Sequence, residues 1–479
     1  MKSSAQRNAL IACAALAVLA ACSSGRTVGP LIPLTSPLLL PNGSSTSPCP
    51  TIFVISPAQT FSDVAERDLT LTEALEKRQL EYRRGCVVVS RSHPPAKWSA
   101  TSGSLHVEDR STRAIFSGSE FGIYGIDATS GIYSASAAVV IQRDKEQLLA
   151  RLRNPAAGGL LMDASGALYG VTDTSGTVFK LVRGASHVET IYTFQGGHNP
   201  SGALIADKRG DLFGTTGIGI GTAYELERSG NDYTERVLHR FVGGGGPMTG
   251  LVADHNGTLY GTTDGGIVFK LTPTGKSYAY TILHRFKIKH VIFNGLSRLV
   301  EGGDGSFYGT VEGYTGFGFV YKLTPKGSSV HTIYSFKGST DGYNPLGDIV
   351  VDTKGVLYGT TVQGGVFGGG TIFDLTPSRS GFDEHILHSF DGLHGAGPTG
   401  LTAGPNGMLY GVTNGGGGGN GILFAFDRLT QKESTVYFFE RRYAPVRPYF
   451  SPITDATGAL YGVWAAPLGG SSIVYKVKP

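Results

Sequence analysis

Apolar and polar positions repeat along residues 155–479 with intervals of 44 to 52 residues. In each unit an aromatic–glycine pair lies inside a near-constant phrase such as LYGTT. The seven aromatic residues of these phrases are Tyr169, Phe213, Tyr260, Tyr308, Tyr358, Tyr410 and Tyr461. A sustained period of this length indicates a repeat architecture, in which each unit is too small to bury its own hydrophobic face.

Each unit contains four short β-rich runs separated by turn residues. In the third unit they are GLVADHNG, TLYGTT, GGIVFKLTP and YTILHRF. The Asp-x-x-Gly before the aromatic phrase predicts a hairpin, because Asp caps its own turn and Gly adopts positive φ. We expect the glycine after the aromatic residue to let a neighbouring blade approach. Seven units of four strands predict an all-β, seven-bladed β-propeller over residues 144–479.

The two ends of the repeat array predict how the ring closes. The last unit ends at IVYKVKP, after its third strand. KEQLLARLRNPAAGG precedes the first unit and aligns with ETIYTFQGGHNPSG, which lies between the first and second units. We therefore expect a strand within residues 144–153 to complete the last blade.

The N-terminus has the pattern of a secretory signal over residues 1–21. Lys2 and Arg7 precede a short apolar stretch, and small residues follow it. The sequence Leu19-Ala20-Ala21-Cys22 resembles the lipobox of bacterial lipoproteins, which implies that Cys22 is the lipidation site. The membrane would then be a partner through this lipid, and the protein would lie in the cell envelope, at the outer membrane or the cell surface. An ordinary signal peptide with a chance cysteine is the alternative.

Two further segments precede the repeats. Residues 22–49 are rich in Pro, Ser and Thr and read as an extended linker. Residues 50–143 contain short β-rich runs, and WSATSGSL followed by FGIYGIDATSGIYSASAAVVI resembles bacterial immunoglobulin-like domains. The resemblance implies a small Ig-like β-sandwich with Trp98 in its core. Residues 62–84 fit either a strand with a long loop or a helix.

The net charge bears on nucleic-acid binding, and the cysteine content bears on disulfide formation. Removal of the signal leaves 39 basic against 37 acidic residues, which gives no electrostatic footprint for nucleic acid. Cys13 leaves with the signal, and lipidation would occupy Cys22. Cys49 and Cys86 remain as an even pair in an oxidising compartment and predict a disulfide, with two separate thiols as the alternative.

The repeated phrases LYGTT, GG and VFKLTP resemble the bacterial tandem-repeat family called GloVer, over roughly residues 155–479. The family is known in extracellular proteins with varied anchors. The resemblance implies an envelope repeat protein, and it brings no catalytic residues.

Repeated polar residues invite a metal site, but their pattern favours structure. His239, His284 and His388 occupy a position where other units carry Tyr192 or Tyr334, and tyrosine cannot replace a metal-ligating histidine blade by blade. Calcium needs six to eight converging oxygens, which single turn aspartates do not supply. We therefore expect no metal and no cofactor, and no known catalytic motif predicts a catalytic residue.

The connections between blades offer the candidate ligand-binding residues. Two loop types are expected to gather at one mouth of the central channel, and they carry His198, Tyr314, Asp341, Tyr343, Phe367 and His394. The scattered aromatic side chains favour a glycan or peptide ligand. The sequence thus favours a monomeric adhesion or ligand-binding module over an enzyme. An envelope assembly scaffold and a propeller lyase or hydrolase acting on extracellular polysaccharide stay as alternatives.

Overall fold

The structure is a computed structural model. It describes residues 146–479 apart from 196–198, 218–220, 243–244, 248, 287–295, 314–316, 325–328, 393, 417–419, 440–446 and 466–470, together with the backbone of strands within residues 51–142. The described residues form two units with a boundary near residue 141, except that residues 121–123 group with the second unit.

The first unit contains seven strands in two sheets. They are β1 (Thr51–Ile55), β2 (Cys86–Arg91), β3 (Lys97–Ala100), β4 (Ser104–Glu108), β5 (Arg113–Gly118), β6 (Gly122–Ser130) and β7 (Tyr133–Gln142). One sheet has the order β1-β7-β6-β3 and the other has the order β2-β5-β4. The Ig-like sandwich stays a prediction, and residues 62–84 lie outside the described residues.

The second unit is the predicted seven-bladed β-propeller, in which each blade is an antiparallel sheet; the strands follow chain order in blades 1 to 6, and the fourth strand of blade 7 comes from the N-terminal side of the repeats. Blade 1 contains β9 (Leu161–Met162), β10 (Leu168–Thr172), β11 (Thr177–Leu181) and β12 (Glu189–Thr193). Blade 2 contains β13 (Pro200–Ala206), β14 (Leu212–Thr216), β15 (Thr222–Ser229) and β16 (Asp232–Arg240). Blade 3 contains β17 (Val252–Ala253), β18 (Leu259–Thr262), β19 (Ile267–Thr274) and β20 (Ser277–Arg285).

The first strands of blades 5 and 7 are each divided into two short pieces. Blade 4 contains β21 (Val300–Glu301), β22 (Phe307–Val311), β23 (Phe319–Leu323) and β24 (Val330–Ser335), and blade 5 contains β25 (Tyr343–Pro345), β26 (Val350–Val351), β27 (Leu357–Gln363), β28 (Thr371–Ser378) and β29 (Gly381–Ser389). Blade 6 contains β30 (Ala396–Ala403), β31 (Met408–Gly415), β32 (Ile422–Asp427) and β33 (Lys432–Phe438). Blade 7 contains β34 (Arg447–Pro448), β35 (Ile453–Thr454), β36 (Leu460–Ala465) and β37 (Ser472–Val477). Short 3-10 turns lie at Ser339–Asp341 and Pro405–Gly407.

The ring closes through a strand from the N-terminal side, as predicted. That strand is β8 (Glu146–Leu152), and it pairs antiparallel with β37 from Val477↔Glu146 to Ser472↔Leu152. The backbone N–H of Ala156 donates to Ser472 Oγ at 2.9 Å, which ties the start of the first blade to the last. Hydrogen bonds between residues far apart in sequence therefore seal the propeller.

The turn chemistry predicted for Asp163 and its equivalents is confirmed. Asp163 Oδ1 accepts hydrogen bonds from the backbone N–H groups of Ser165 and Ala167, at 2.9 and 3.0 Å. The hydroxyl of Tyr169 donates to Asp163 Oδ2 at 3.1 Å, and Lys180 lies over the tyrosine ring. The Asp, Tyr and Lys of the repeated phrases thus form one cluster that fixes the first three strands of a blade.

The expected role of the glycine after each aromatic residue is wrong. A Cβ added at Gly359 would lie 2.5 Å from Phe373 Cζ, and Phe373 is directly opposite on β28 of the same blade. A Cβ added at Gly170 would likewise collide with the ring of Phe179, and one added at Gly261 would collide with the ring of Phe269. The glycine therefore makes room for an aromatic ring of its own blade, and not for a neighbouring blade.

Candidate functional site

Two sets of loops meet at one end of the propeller and form the mouth, as the sequence predicts. One set connects the fourth strand of a blade to the next blade, and the other joins the second and third strands. The backbone N–H of Asn344 donates to the carbonyl of Phe317 at 3.0 Å, and that of Gly365 donates to the carbonyl of Ser339 at 2.8 Å. The Asp-capped turns between first and second strands lie at the other end.

Aromatic side chains are exposed at the mouth of blades 4 and 5. Phe317 is 46% and Phe367 is 66% exposed, and Val366 beside Phe367 is also exposed. The ring of Tyr343 packs edge-to-face against Phe317 with centroids 5.9 Å apart. Tyr343 pairs with Gln363 on β27, directly before the loop that carries Phe367. We call Phe317, Tyr343, Val366 and Phe367 the mouth patch.

Asp341 is a turn-forming residue at the edge of the mouth patch. Its carboxylate accepts hydrogen bonds from the Tyr334 hydroxyl, at 2.6 Å, and from the backbone N–H of Lys337. The Tyr334 hydroxyl also lies 3.3 Å from Glu384 Oε2 on the next blade. Burial, and then the charge of Asp341, raise the pKa of Glu384 to about 7. The carboxylate of Asp341 therefore fixes the loop that carries Tyr343.

His394 lies on the next connection, between blades 5 and 6. Its Nδ1 is 2.7 Å from Asp391 Oδ2, and its backbone N–H donates to Asp391 Oδ1. The side chain of His394 is 42% exposed, although its Nδ1 is held by Asp391. His394 and Asp391 thus form a polar pair beside the mouth patch on the ring of blades.

The remaining predicted site residues belong to parts of the chain whose side chains are not described. His198, Tyr314, Cys22 and Cys49 lie outside the described residues. Cys86 begins β2, but only its backbone is described. The disulfide and the lipidation site therefore stay predictions.

The fourth-strand histidines pack against aromatic rings. The ring of His239 stacks on Tyr280 of the next blade with centroids 3.9 Å apart, and His388 meets Phe390 edge-on. Burial lowers the pKa of both histidines. Among the described residues, no group of three or more His, Cys, Asp or Glu side chains is placed to hold a metal ion.

The seven first strands approach one another around the propeller axis. In each blade we consider the residue four positions before the first residue of the turn between the first and second strands. These seven residues form one ring of neighbours, which we call the axial ring: Gly159, Ala203, Gly250, Arg298, Asp348, Gly400 and Ser451. A Cβ added at Gly159 would lie 3.8 Å from Ala203 Cβ, and one added at Gly400 would touch Ser451 Oγ and the backbone N of Asp348. Five members of the axial ring are therefore small, and two neighbours are charged.

Arg298 and Asp348 are functional candidates that the sequence reasoning missed. Arg298 Nη1 lies 3.9 Å from Asp348 Oδ2, and about a third of each side chain is accessible. Burial raises the pKa of Asp348, and the charge of Arg298 opposes this shift. Both side chains therefore lie within the ring of first strands and stay partly accessible there. An alignment of the seven first strands on their hairpin turns would have revealed both residues.

These observations define a seven-bladed β-propeller built from tandem repeats. Residues 263–475 match the family model described as the Gloeobacter/Verrucomicrobia repeat, which supports the expected repeat family. No curated protein matches the chain. No helix in the described part of the chain has the length and apolar character needed to cross a membrane.

Solved structures share the fold at low sequence identity. Selenomethionine-substituted virginiamycin B lyase from Staphylococcus aureus is 14% identical with a TM-score of 0.51, and the match covers 70% of this chain and 99% of that chain. YCF48 bound to D1 peptide is 11% identical with a TM-score of 0.50, and the match covers 71% of this chain and 98% of that chain. At such identities the likeness concerns the fold alone.

Proposed function

We propose that this protein is a lipid-anchored cell-envelope module that binds an extracellular glycan at the mouth patch. The observation that carries the proposal is the exposure of Phe317 and Phe367 on one side of the mouth. Aromatic side chains normally contribute most when buried, so a group left open indicates a contact surface. The apolar faces of sugar rings stack on such side chains, and the Asp391–His394 pair offers hydrogen-bonding groups beside them.

The position of the exposed aromatic residues supports this proposal. In the described part of the chain the exposed aromatic hydrophobics are Phe317, Phe367 and Tyr449, and Tyr449 directly follows β34, which begins the first strand of blade 7. All three therefore lie on loops or strand ends at the mouth. Among the exposed aliphatic residues, Val182 and Leu429 lie at turns between third and fourth strands, at the other end of the propeller, whereas Val366 belongs to the mouth patch.

A glycan array with the full chain carrying Cys22→Ser tests the proposed ligand class. We expect at least one extracellular glycan to bind, and the double variant Phe317→Ala/Phe367→Ala to lose most of that binding. The matched control Val182→Ala/Leu429→Ala removes exposed apolar surface at the other end and should bind normally. Binding of peptides and of no glycan would make a peptide module the better proposal.

The lipid anchor rests on the signal-like N-terminus and on Cys22. We expect the wild-type chain to sediment with membranes after expression in a bacterium, and Cys22→Ser to move to the soluble fraction. Mass spectrometry of the N-terminal peptide would show acyl chains on Cys22. An unmodified Cys22 in a processed chain would refute the anchor.

A further inference from the structure

Two charged side chains face small residues in the axial ring. Arg298 and Asp348 belong to neighbouring blades, and the other five positions are Gly159, Ala203, Gly250, Gly400 and Ser451. Arg298 and Asp348 are therefore the two members of the axial ring that carry long polar side chains. The ring is therefore charged on one side and lined by small residues on the other.

The polar groups of this pair are incompletely satisfied. Their separation of 3.9 Å exceeds the 2.7 to 3.2 Å of an N–H···O hydrogen bond. Among the described residues, Arg298 Nε is buried and has no hydrogen-bond partner. Arginine carries five donors, and buried donors without partners are rare in folded proteins. An ion pair this long and partly accessible contributes little to stability, so a purely structural role accounts poorly for it.

We propose that Arg298 and Asp348 bind a neutral, hydroxyl-rich molecule, namely a terminal sugar unit, within the axial channel. A hydroxyl group accepts a hydrogen bond from the guanidinium and donates one to the carboxylate, so it satisfies both partners at once. The negative charge of Asp348 would repel a carboxylate ligand, and the positive charge of Arg298 would repel a protonated amine. The pair thus selects against ligands of either charge.

This inference deepens the proposed function and rests on it, because the two sites lie in one sector of the ring. Phe317 and Arg298 belong to blade 4, and Tyr343 and Asp348 belong to blade 5. Tyr343 starts β25, and Asp348 follows five residues later in the first strand of the same blade. At the rise of an extended strand this places Asp348 at most about 16 Å below the mouth patch. A glycan stacked on the mouth patch can reach the axial ring with its end.

Titration of the full chain carrying Cys22→Ser with single sugars tests the axial site. The probes are D-glucose, D-galactose, D-mannose, N-acetyl-D-glucosamine, D-glucuronate and D-glucosamine. We expect at least one of the four neutral sugars to bind, and Arg298→Gln and Asp348→Asn each to weaken binding about tenfold or more, because hydrogen bonds to charged groups are lost. Arg183→Gln and Asp232→Asn change exposed residues elsewhere and serve as controls.

An NMR measurement on the chain with Arg298 and Asp348 intact tests the site even if the axial variants fail to fold. The bound sugar should shift the NMR signal of the Arg298 Nε–H group. No binding of any neutral sugar, stronger binding of glucuronate or glucosamine, or full affinity in both axial variants would overturn the inference. The proposed function would survive if array glycans bound normally to both axial variants, and would fail separately if the Phe317→Ala/Phe367→Ala variant kept full glycan affinity.

Discussion

Within a blade, residues of the repeated phrase interact through hydrogen bonds and a cation–π contact. Around Tyr461, the hydroxyl donates to Asp455 at 2.9 Å and Lys476 lies over the ring. Partial burial alone would raise the pKa of Asp455, but hydrogen bonds from Thr457, Tyr461 and the backbone of Ala459 outweigh it and lower the pKa to about 2. The turn aspartate therefore stays ionised at neutral and at mildly acidic pH.

The glycine of the phrase gives a sharp test at the residue scale. Gly359→Ala places a methyl group 2.5 Å from Phe373 Cζ in a fully buried site, so we expect a loss of about 1 to 3 kcal/mol in the free energy of unfolding. Gly303→Ala adds the same methyl group in open space and is the matched control. Urea denaturation measures both. Equal stability of the two variants would show that the ring of Phe373 does not need the glycine.

At the scale of the strand, the fourth strands of neighbouring blades place polar groups at equivalent positions. The Tyr192 hydroxyl donates to Glu235 at 3.0 Å, and Tyr334 lies against Glu384 in the same relation three blades further on. Glu433 occupies this position on β33, where its Oε1 is buried without a hydrogen-bond partner among the described residues. Burial, and then the charge of Asp391, raise the pKa of Glu433 to about 8.

The raised pKa of Glu433 predicts a pH dependence of stability. The folded-state pKa lies above the unfolded value of 4.5, so the stability that protonated Glu433 contributes is complete below pH 4.5 and is lost as the pH rises through 8. Glu433→Gln stays neutral and should gain stability relative to the wild type between these pH values. Urea unfolding at pH 4.5, 6, 8 and 9 measures this difference. Exposed Glu189→Gln is the control, and parallel pH profiles for Glu433→Gln and the wild type would contradict the prediction.

Elements also show where sequence reasoning succeeds and where it stops. The period of the aromatic phrase predicts blade number and strand order, because those depend on local turns and alternating apolar positions. The partner of Gly359 is not encoded locally, since only the register of β27 against β28 sets Phe373 opposite it. Arg298 and Asp348 were missed for the same reason: they lie 50 residues apart in the chain and meet only when the first strands converge. The exposure of Phe367, by contrast, agrees with its predicted place in a mouth loop.

At the scale of the whole molecule, closure decides whether seven small sheets form one stable body. Each blade buries its faces against two neighbours, so a gap between blades 7 and 1 would expose apolar surface on both sides. The strand β8 prevents this: Ala150 and Leu152 are buried in a cluster that also contains Leu168 of blade 1 and Val474 of blade 7. A closed ring also leaves no inner sheet edge open to pairing with another chain.

Two leucines on β8 separate the effect of closure from that of the strand itself. Leu152 is 2% exposed and faces the blade 7–blade 1 cluster, whereas Leu148 on the same strand is 38% exposed. Leu152→Ala should lower the free energy of unfolding by about 2 to 5 kcal/mol, because it leaves a cavity in that cluster. Leu148→Ala should cost well under half as much. Thermal and urea unfolding measure the two variants. Similar small losses would mean that blades 1 and 7 hold together without β8.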